Sequence, residues 1–191
     1  LYFKTRNRKK MPAVAAVILT LSLILSFMLS FALRASCATP DTSAAEAVYL
    51  YCIDNGILMY ESNSEKSVSP YAMIKMMVGL IACERLSEKL DTKITITSQM
   101  IAGAGQDKQM KMKVVEGEVV PLRDLLYGLL CCGYNDCATA LAIYISGSVK
   151  NFVSLMNLRA SELGMNSTQY QNVIGTESGS ARTTASDTAK L

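Results

Sequence analysis

Histidine is absent from all 191 residues. That excludes every Ser-His-Asp and Cys-His nucleophilic mechanism among them, and every histidine-ligated metal site. Nucleophilic chemistry here would need another base, and lysine is the usual substitute. The six cysteines, Cys37, Cys52, Cys83, Cys131, Cys132 and Cys137, show no metal-ligand spacing. They read as free buried thiols acting as small hydrophobes rather than as a disulfide framework. No metal or cofactor is expected. Gly103-Ala104-Gly105 lacks the rest of a phosphate-binding fingerprint, and no internal repeat is present.

Charge of either sign is missing from Met11 to Leu33, a run of 23 residues. A bilayer needs about 20 apolar residues, whereas a cleaved signal peptide usually has a core of about 7–15. The length suits an uncleaved signal anchor, while Ser36-Cys37-Ala38 suits signal cleavage, and both readings stay open. Five of the 19 basic residues (Lys4, Arg6, Arg8, Lys9 and Lys10) precede this run, leaving 14 against 16 acidic residues beyond it. A basic cluster ahead of a long apolar run is a topogenic signal rather than a nucleic-acid arm, and no nucleic-acid partner is expected. Residues 1–10 read as a cytoplasmic tail, 11–33 as a signal peptide or transmembrane anchor, and 34–44 as a linker. Residues 45–191 read as an extracytoplasmic domain.

That domain reads as α+β. Ala47–Cys52 and Ile57–Tyr60 are β-prone runs around Asp54-Asn55-Gly56, a strong hairpin signal. Ser69 suits a helix cap and Pro70 a first helical position, so a helix is expected from Pro70 to about Leu86. Lys93–Thr97 and Met110–Val115 read as short strands. Leu122–Cys132 reads as a core helix that breaks at Gly133-Tyr134-Asn135-Asp136 and resumes from Cys137 to Ser146. Val149–Leu163 is amphipathic, with Gly164 as its C-cap.

Two features carry candidate chemistry. Lys75 is the only charged residue between Pro70 and Cys83 and is flanked by Met73, Ile74, Met76 and Met77. A lysine in an apolar helix either snorkels to solvent or is buried and put to use, and burial favours the neutral, basic amine. The polar break Gly133–Asp136 sits between two apolar helices, either as a plain turn or at the mouth of a cleft.

These features and their surroundings resemble the serine D-alanyl-D-alanine carboxypeptidases, the low-molecular-weight penicillin-binding proteins. The segment AVYLYCIDNGILMYESNSEKSVSP is similar to that family's opening strands. Pro70-Tyr71-Ala72-Met73-Ile74-Lys75-Met76-Met77 resembles its Pro-x-Ser-x-x-Lys helix start. Pro121–Leu130 resembles the helix before its Ser-x-Asn motif, which Gly133-Tyr134-Asn135 then occupies. FVSLMNLRASELG and Thr183-Thr184-Ala185-Ser186-Asp187 also match, in the same order.

The resemblance implies the N-terminal part of the serine β-lactamase/penicillin-binding fold: an opening hairpin plus the helical region, preceded by one transmembrane or signal helix. It implies a lysine that takes a proton from a serine one helical turn away, an acyl-enzyme formed on that serine, and a second serine and an asparagine that orient substrate. Lys75 matches the base position and Asn135 the amide. Ala72 leaves the nucleophile position vacant, and Gly133 leaves the second serine position vacant. Two altered positions fit natural decay of a site better than one engineered change.

The family's Lys-Thr-Gly strand is not among these residues, so the domain reads as partial, lacking the C-terminal strands, and as poorly stable alone. The expected function is that of a non-catalytic, wall-acting homologue that binds peptidoglycan stem peptides ending in D-Ala-D-Ala. The alternatives are an active hydrolase with an unrecognised nucleophile, or a structural, membrane-tethered wall protein. Ser69, six residues before Lys75, is expected to cap the helix rather than attack.

Overall fold

The computed structural model describes residues 17, 18, 20–26, 40–105, 109–176 and 180–191. The basic tail and most of the apolar run and linker lie outside them. Residues 20–26 are helical. No helix among the described residues is long and apolar enough to cross a membrane. Thr42–Leu191 forms one compact unit.

Strands β1 (Val48–Cys52) and β2 (Ile57–Ser62) form the expected antiparallel hairpin, with Val48 opposite Ser62 and Cys52 opposite Ile57. The Asn55 side chain accepts from Ile57 N at 3.1 Å, and Gly56 N donates back to Cys52 O at 3.0 Å. These bonds close the turn that Asp54-Asn55-Gly56 signals. Strand β3 (Lys93–Thr95) pairs with β4 (Val119–Pro121) in a separate two-stranded sheet.

Met110–Val115 is not a strand. Its backbone is bonded elsewhere: Met112 N and Lys113 N donate to the Asp136 carboxylate, and Met110 O accepts from Asn135 N. A segment whose amides are taken by a helix start has none left for a ladder.

The core is helical. Helix α1 (Ile74–Leu86) buries Ile74, Met77, Val78, Ile81 and Ala82. Helix α2 (Ser98–Ala102) is a short addition that the sequence pattern does not signal. Helices α3 (Leu122–Cys132), α4 (Asn135–Ser146) and α5 (Val149–Glu162) supply Leu125, Leu129, Leu141, Phe152 and Met156 to the same core. Ser148 caps α5 by accepting from Asn151 N. Gly164 ends it as expected, with Gly164 N bonded to Ser161 O and Met165 N to Ala160 O.

Three further expectations are corrected. Ser69 does not cap α1: a 3₁₀ turn, Tyr71–Met73, intervenes, and neither Pro70 nor Met73 receives a side-chain cap. The break between α3 and α4 is only Gly133-Tyr134, because Asn135 and Asp136 belong to the first turn of α4. Among the five described cysteines only Cys137 is buried, while Cys83, Cys131 and Cys132 are exposed. The buried-hydrophobe reading therefore holds for one thiol.

The tail is tied back to the start of the domain. Val68 bridges Thr183, Gln169 bridges Arg182, and Ser186 N donates to Ser64 O. Helix α6 (Ala185–Thr188) places Asp187 at 3% exposure, where it accepts from Ser167 N, Thr168 Oγ1 and Lys190 Nζ at 2.8–2.9 Å.

Burial pulls the Asp187 carboxyl up, but the bonds from Lys190, Thr168 and Ser167 outweigh it and hold it below its usual 3.8. A group whose folded-state value lies below its unfolded one contributes stability above the unfolded value, and loses it as pH falls through the folded value. Asp187→Asn is expected to flatten the acid side of a plot of urea midpoint against pH, below about pH 4. An unchanged acid limb would remove this role.

Candidate functional site

The site is built where the start of α1 meets the α3–α4 junction. Tyr71 precedes it with φ of +40°, a left-handed conformation rare for a bulky residue. Ala72 follows and is exposed. Lys75, one helical turn on, faces inward at 8% exposure, so it does not snorkel. Its Nζ donates to the Gly133 carbonyl at 2.6 Å. A lysine buried in an apolar helix needs such an acceptor, and the end of α3 presents one.

Gly133 closes α3 at φ of +69°. Glycine adopts this conformation without the cost that a side chain incurs. A Cβ placed on Gly133 would stand 3.9 Å from Lys75 Nζ and 3.5 Å from Met110 Cε, both ordinary contacts. The structure thus brings Lys75 and position 133 into direct contact.

Asn135 opens α4 at 6% exposure. Its backbone N donates to Met110 O at 2.7 Å, and its backbone O accepts from Thr139 Oγ1 at 3.0 Å. Its Oδ1 is buried without a hydrogen-bond partner among the described residues. A buried amide oxygen left unpaired is costly, so this acceptor marks a place where a donor fits. Met110 joins the two halves of the site, since its carbonyl holds Asn135 while its Cε lies beside position 133.

Asp136 is the residue that the sequence pattern does not single out by role. It is 2% exposed. Oδ1 accepts from Met112 N at 2.9 Å and Cys137 N at 3.0 Å, and Oδ2 accepts from Lys113 N at 2.9 Å. One carboxylate therefore satisfies a first-turn amide of α4 and fastens Met112 and Lys113 to that helix start. The signal for it, an acidic residue in a helix first turn, is common and does not specify such a task.

Neither Cys137 nor Ser69 offers a ready substitute nucleophile. Burial and the neighbouring Asp136 push the Cys137 thiol far up, which makes it inert. Ser69 lines a different groove of about 430 Å³, with Tyr49, Val68, Tyr71, Met73 and Ala185. Lys75, Gly133 and Asn135 take no part in that groove, so volume and chemistry lie apart. We place the site by the lysine and the unpaired amide oxygen, which are the groups that can recognise a polar ligand. No group of three or more His, Cys, Asp or Glu residues suited to a metal occurs among the described residues.

Lys75 one turn after Ala72, Gly133 at the helix end on that lysine and Asn135 two residues further on are the positions that the sequence resemblance singles out. A family model described as D-alanyl-D-alanine carboxypeptidase matches residues 34–191. The chain belongs to the D-alanyl-D-alanine carboxypeptidase family.

Among curated members, the chain is similar to the D-alanyl-D-alanine carboxypeptidase DacF of Bacillus subtilis. They are 33% identical over 139 residues, covering 71% of this chain and 35% of that protein. It is similar to the D-alanyl-D-alanine carboxypeptidase of Streptomyces sp. strain K15, at 28% identity, 93% coverage of this chain and 63% of that one. Among solved structures it superposes on the carboxypeptidase DacD of Francisella tularensis with a TM-score of 0.72 and 31% identity, over 82% of this chain and 37% of that chain. Penicillin binding protein 6B of Escherichia coli gives a TM-score of 0.66 at 27% identity, over 71% and 44%. The chain thus spans between about a third and two thirds of the length of these family members. Its mixed helices and strands resemble the N-terminal part of their fold.

Proposed function

We propose that this protein is a non-catalytic member of the family that holds peptides ending in D-Ala-D-Ala at the Lys75–Asn135 site without cleaving them. The Lys75–Gly133 bond carries the reading. In an acyl-transfer site a lysine one turn after a serine takes the serine's proton. Here neither Ala72 nor Gly133 has a hydroxyl, and Lys75 Nζ is bonded to a main-chain carbonyl instead. The buried Asn135 amide oxygen has no hydrogen-bond partner among the described residues and would accept a peptide N–H once the site admits one, and Lys75 meets the chain two residues before it. Recognition groups persist where the attacking group does not. Membership of a carboxypeptidase family supports a role at the cell wall. An extracytoplasmic position, tethered through the apolar run at residues 11–33, completes the proposal.

The test is a pair of measurements on the same preparation. Fluorescent penicillin is expected to leave the protein unlabelled, and no D-alanine is expected to be released from a diacetyl-Lys-D-Ala-D-Ala peptide. Calorimetry is expected to show reversible binding of that peptide, weakened about tenfold or more by Asn135→Ala, since a buried amide hydrogen bond is worth about 1–2 kcal/mol. Covalent labelling would overturn the non-catalytic reading. Absence of peptide binding would overturn the binding reading.

A further inference from the structure

Tyr71 holds a costly left-handed conformation directly before the vacant position. Strain of this kind persists only where the surroundings over-determine it. The neighbour packed against it is a turn from much later in the chain. Gly175, at φ of +81°, lies so close to the Tyr71–Ala72 peptide that an added Cβ would overlap the Tyr71 carbonyl and stand 3.1 Å from Ala72 N. Main chain packs on main chain here, with no flexible side chain to yield.

The turn is itself fixed. Asn172 Oδ1 accepts from Ile174 N at 3.1 Å and from Gly175 N at 2.7 Å, while its Nδ2 donates to Thr176 O at 3.0 Å. Its base is fixed as well. Tyr170 and Val173 are buried, and the Asn157 side chain on α5 grips both backbone groups of Tyr170, at 2.7 and 3.0 Å.

We infer that the Asn172–Gly175 turn is a strut that sets the backbone at position 72, and that Gly175 is the positioning residue of the Lys75 site. The strut bears on Tyr71 and Ala72 from outside the α1–α3–α4 junction. It fixes the entry into α1 and so the line along which Lys75 reaches Gly133. Its effect on ligand binding rests on the proposed function above, whereas its effect on the backbone does not.

The experiment compares Gly175→Ala with Gly164→Ala by hydrogen exchange and by affinity for the D-Ala-D-Ala peptide. Both glycines have positive φ, but a Cβ at Gly164 meets nothing within 4 Å, so that variant carries the conformational cost without the collision. Gly175→Ala is expected to raise exchange at the amides of residues 72–76 by about tenfold or more and to weaken the peptide similarly, with exchange in α5 unchanged. Gly164→Ala is expected to change neither.

Adding Tyr71→Gly to Gly175→Ala frees the carbonyl to move and is expected to return exchange and affinity toward the parent values. Should Gly175→Ala fail to fold, Asn172→Ala loosens the same turn without adding bulk and is expected to raise exchange over the same amides. Equal exchange at residues 72–76 in the Gly175 and Gly164 variants would overturn the strut. A parent protein that binds no peptide would sink the proposed function, and the exchange comparison would still decide the strut.

Discussion

The double variant Ala72→Ser/Gly133→Ser is expected to acquire covalent labelling by penicillin that the parent lacks. The amine that would act as base is positioned for it: Lys75 is buried one turn after position 72, and its Nζ lies within reach of position 133. A serine hydroxyl at position 72 would share the lysine's helix face at the i, i+3 spacing. A serine Cβ at position 133 would meet only ordinary contacts, 3.5 Å from Met110 Cε and 3.9 Å from Lys75 Nζ.

Losing the nucleophile of a catalytic unit typically costs about 10⁴-fold or more. Recovery is expected to be smaller, roughly 10²-fold over the parent, for two reasons. A non-glycine residue at φ of +69° carries a backbone cost of about 1–2 kcal/mol. Lys75 must also exchange its bond to the Gly133 carbonyl for one to the new hydroxyl. Ala72→Ser alone is expected to label more slowly than the pair, and Gly133→Ser alone not at all. The measurement is intact mass after incubation with penicillin, which reports an acyl adduct directly. A folded double variant without an adduct would show that two hydroxyls beside Lys75 do not suffice for acylation.

Elements fixed by local chemistry are legible in the sequence. The Asn55-Gly56 turn dictates its hairpin, and the apolar runs of α1, α3 and α5 dictate core helices, the last two ending near the glycines that close them. Elements that depend on distant partners are not. Met110–Val115 alternates weakly enough to pass for a strand, but the Asp136 carboxylate claims its amides. Val119–Pro121 is three residues long and gains strand character only from pairing with β3. Ser69-Pro70 carries the local signature of a helix start, which the left-handed Tyr71 displaces.

The site divides in the same way. Lys75 stands out as a lone charge in an apolar helix. Gly133 and Asn135 stand out only through their resemblance to a family motif. Gly175 is invisible, because its importance lies in a main-chain approach to a residue about a hundred positions earlier.

Asp136→Asn is expected to be the most destabilising isosteric change near the cleft. The carboxylate offers acceptors on both oxygens and uses them on three backbone amides, at 2.9, 2.9 and 3.0 Å. An asparagine keeps one acceptor oxygen and turns an NH₂ toward a main-chain N–H. Whichever way the amide is oriented, at least one of these amides loses its partner and faces another donor. A hydrogen bond to a charged group contributes about 1.5–3 kcal/mol, and an unsatisfied buried donor costs about 1–3. The expected loss is about 3 kcal/mol, or a fall in Tm of roughly 6–12 °C for a domain of this size.

The loss should also have a place. Residues 110–113 are held by this side chain and by the Asn135 N–H, so freeing them exposes the Lys75–Gly133 contact to water before the core opens. Hydrogen exchange is therefore expected to rise first at Met112 and Lys113, with the amides of α5 keeping their protection until global unfolding. Uniform loss of protection across the domain would mean that Asp136 serves the core alone. Selective loss would make it the residue through which the cleft and the fold share their stability.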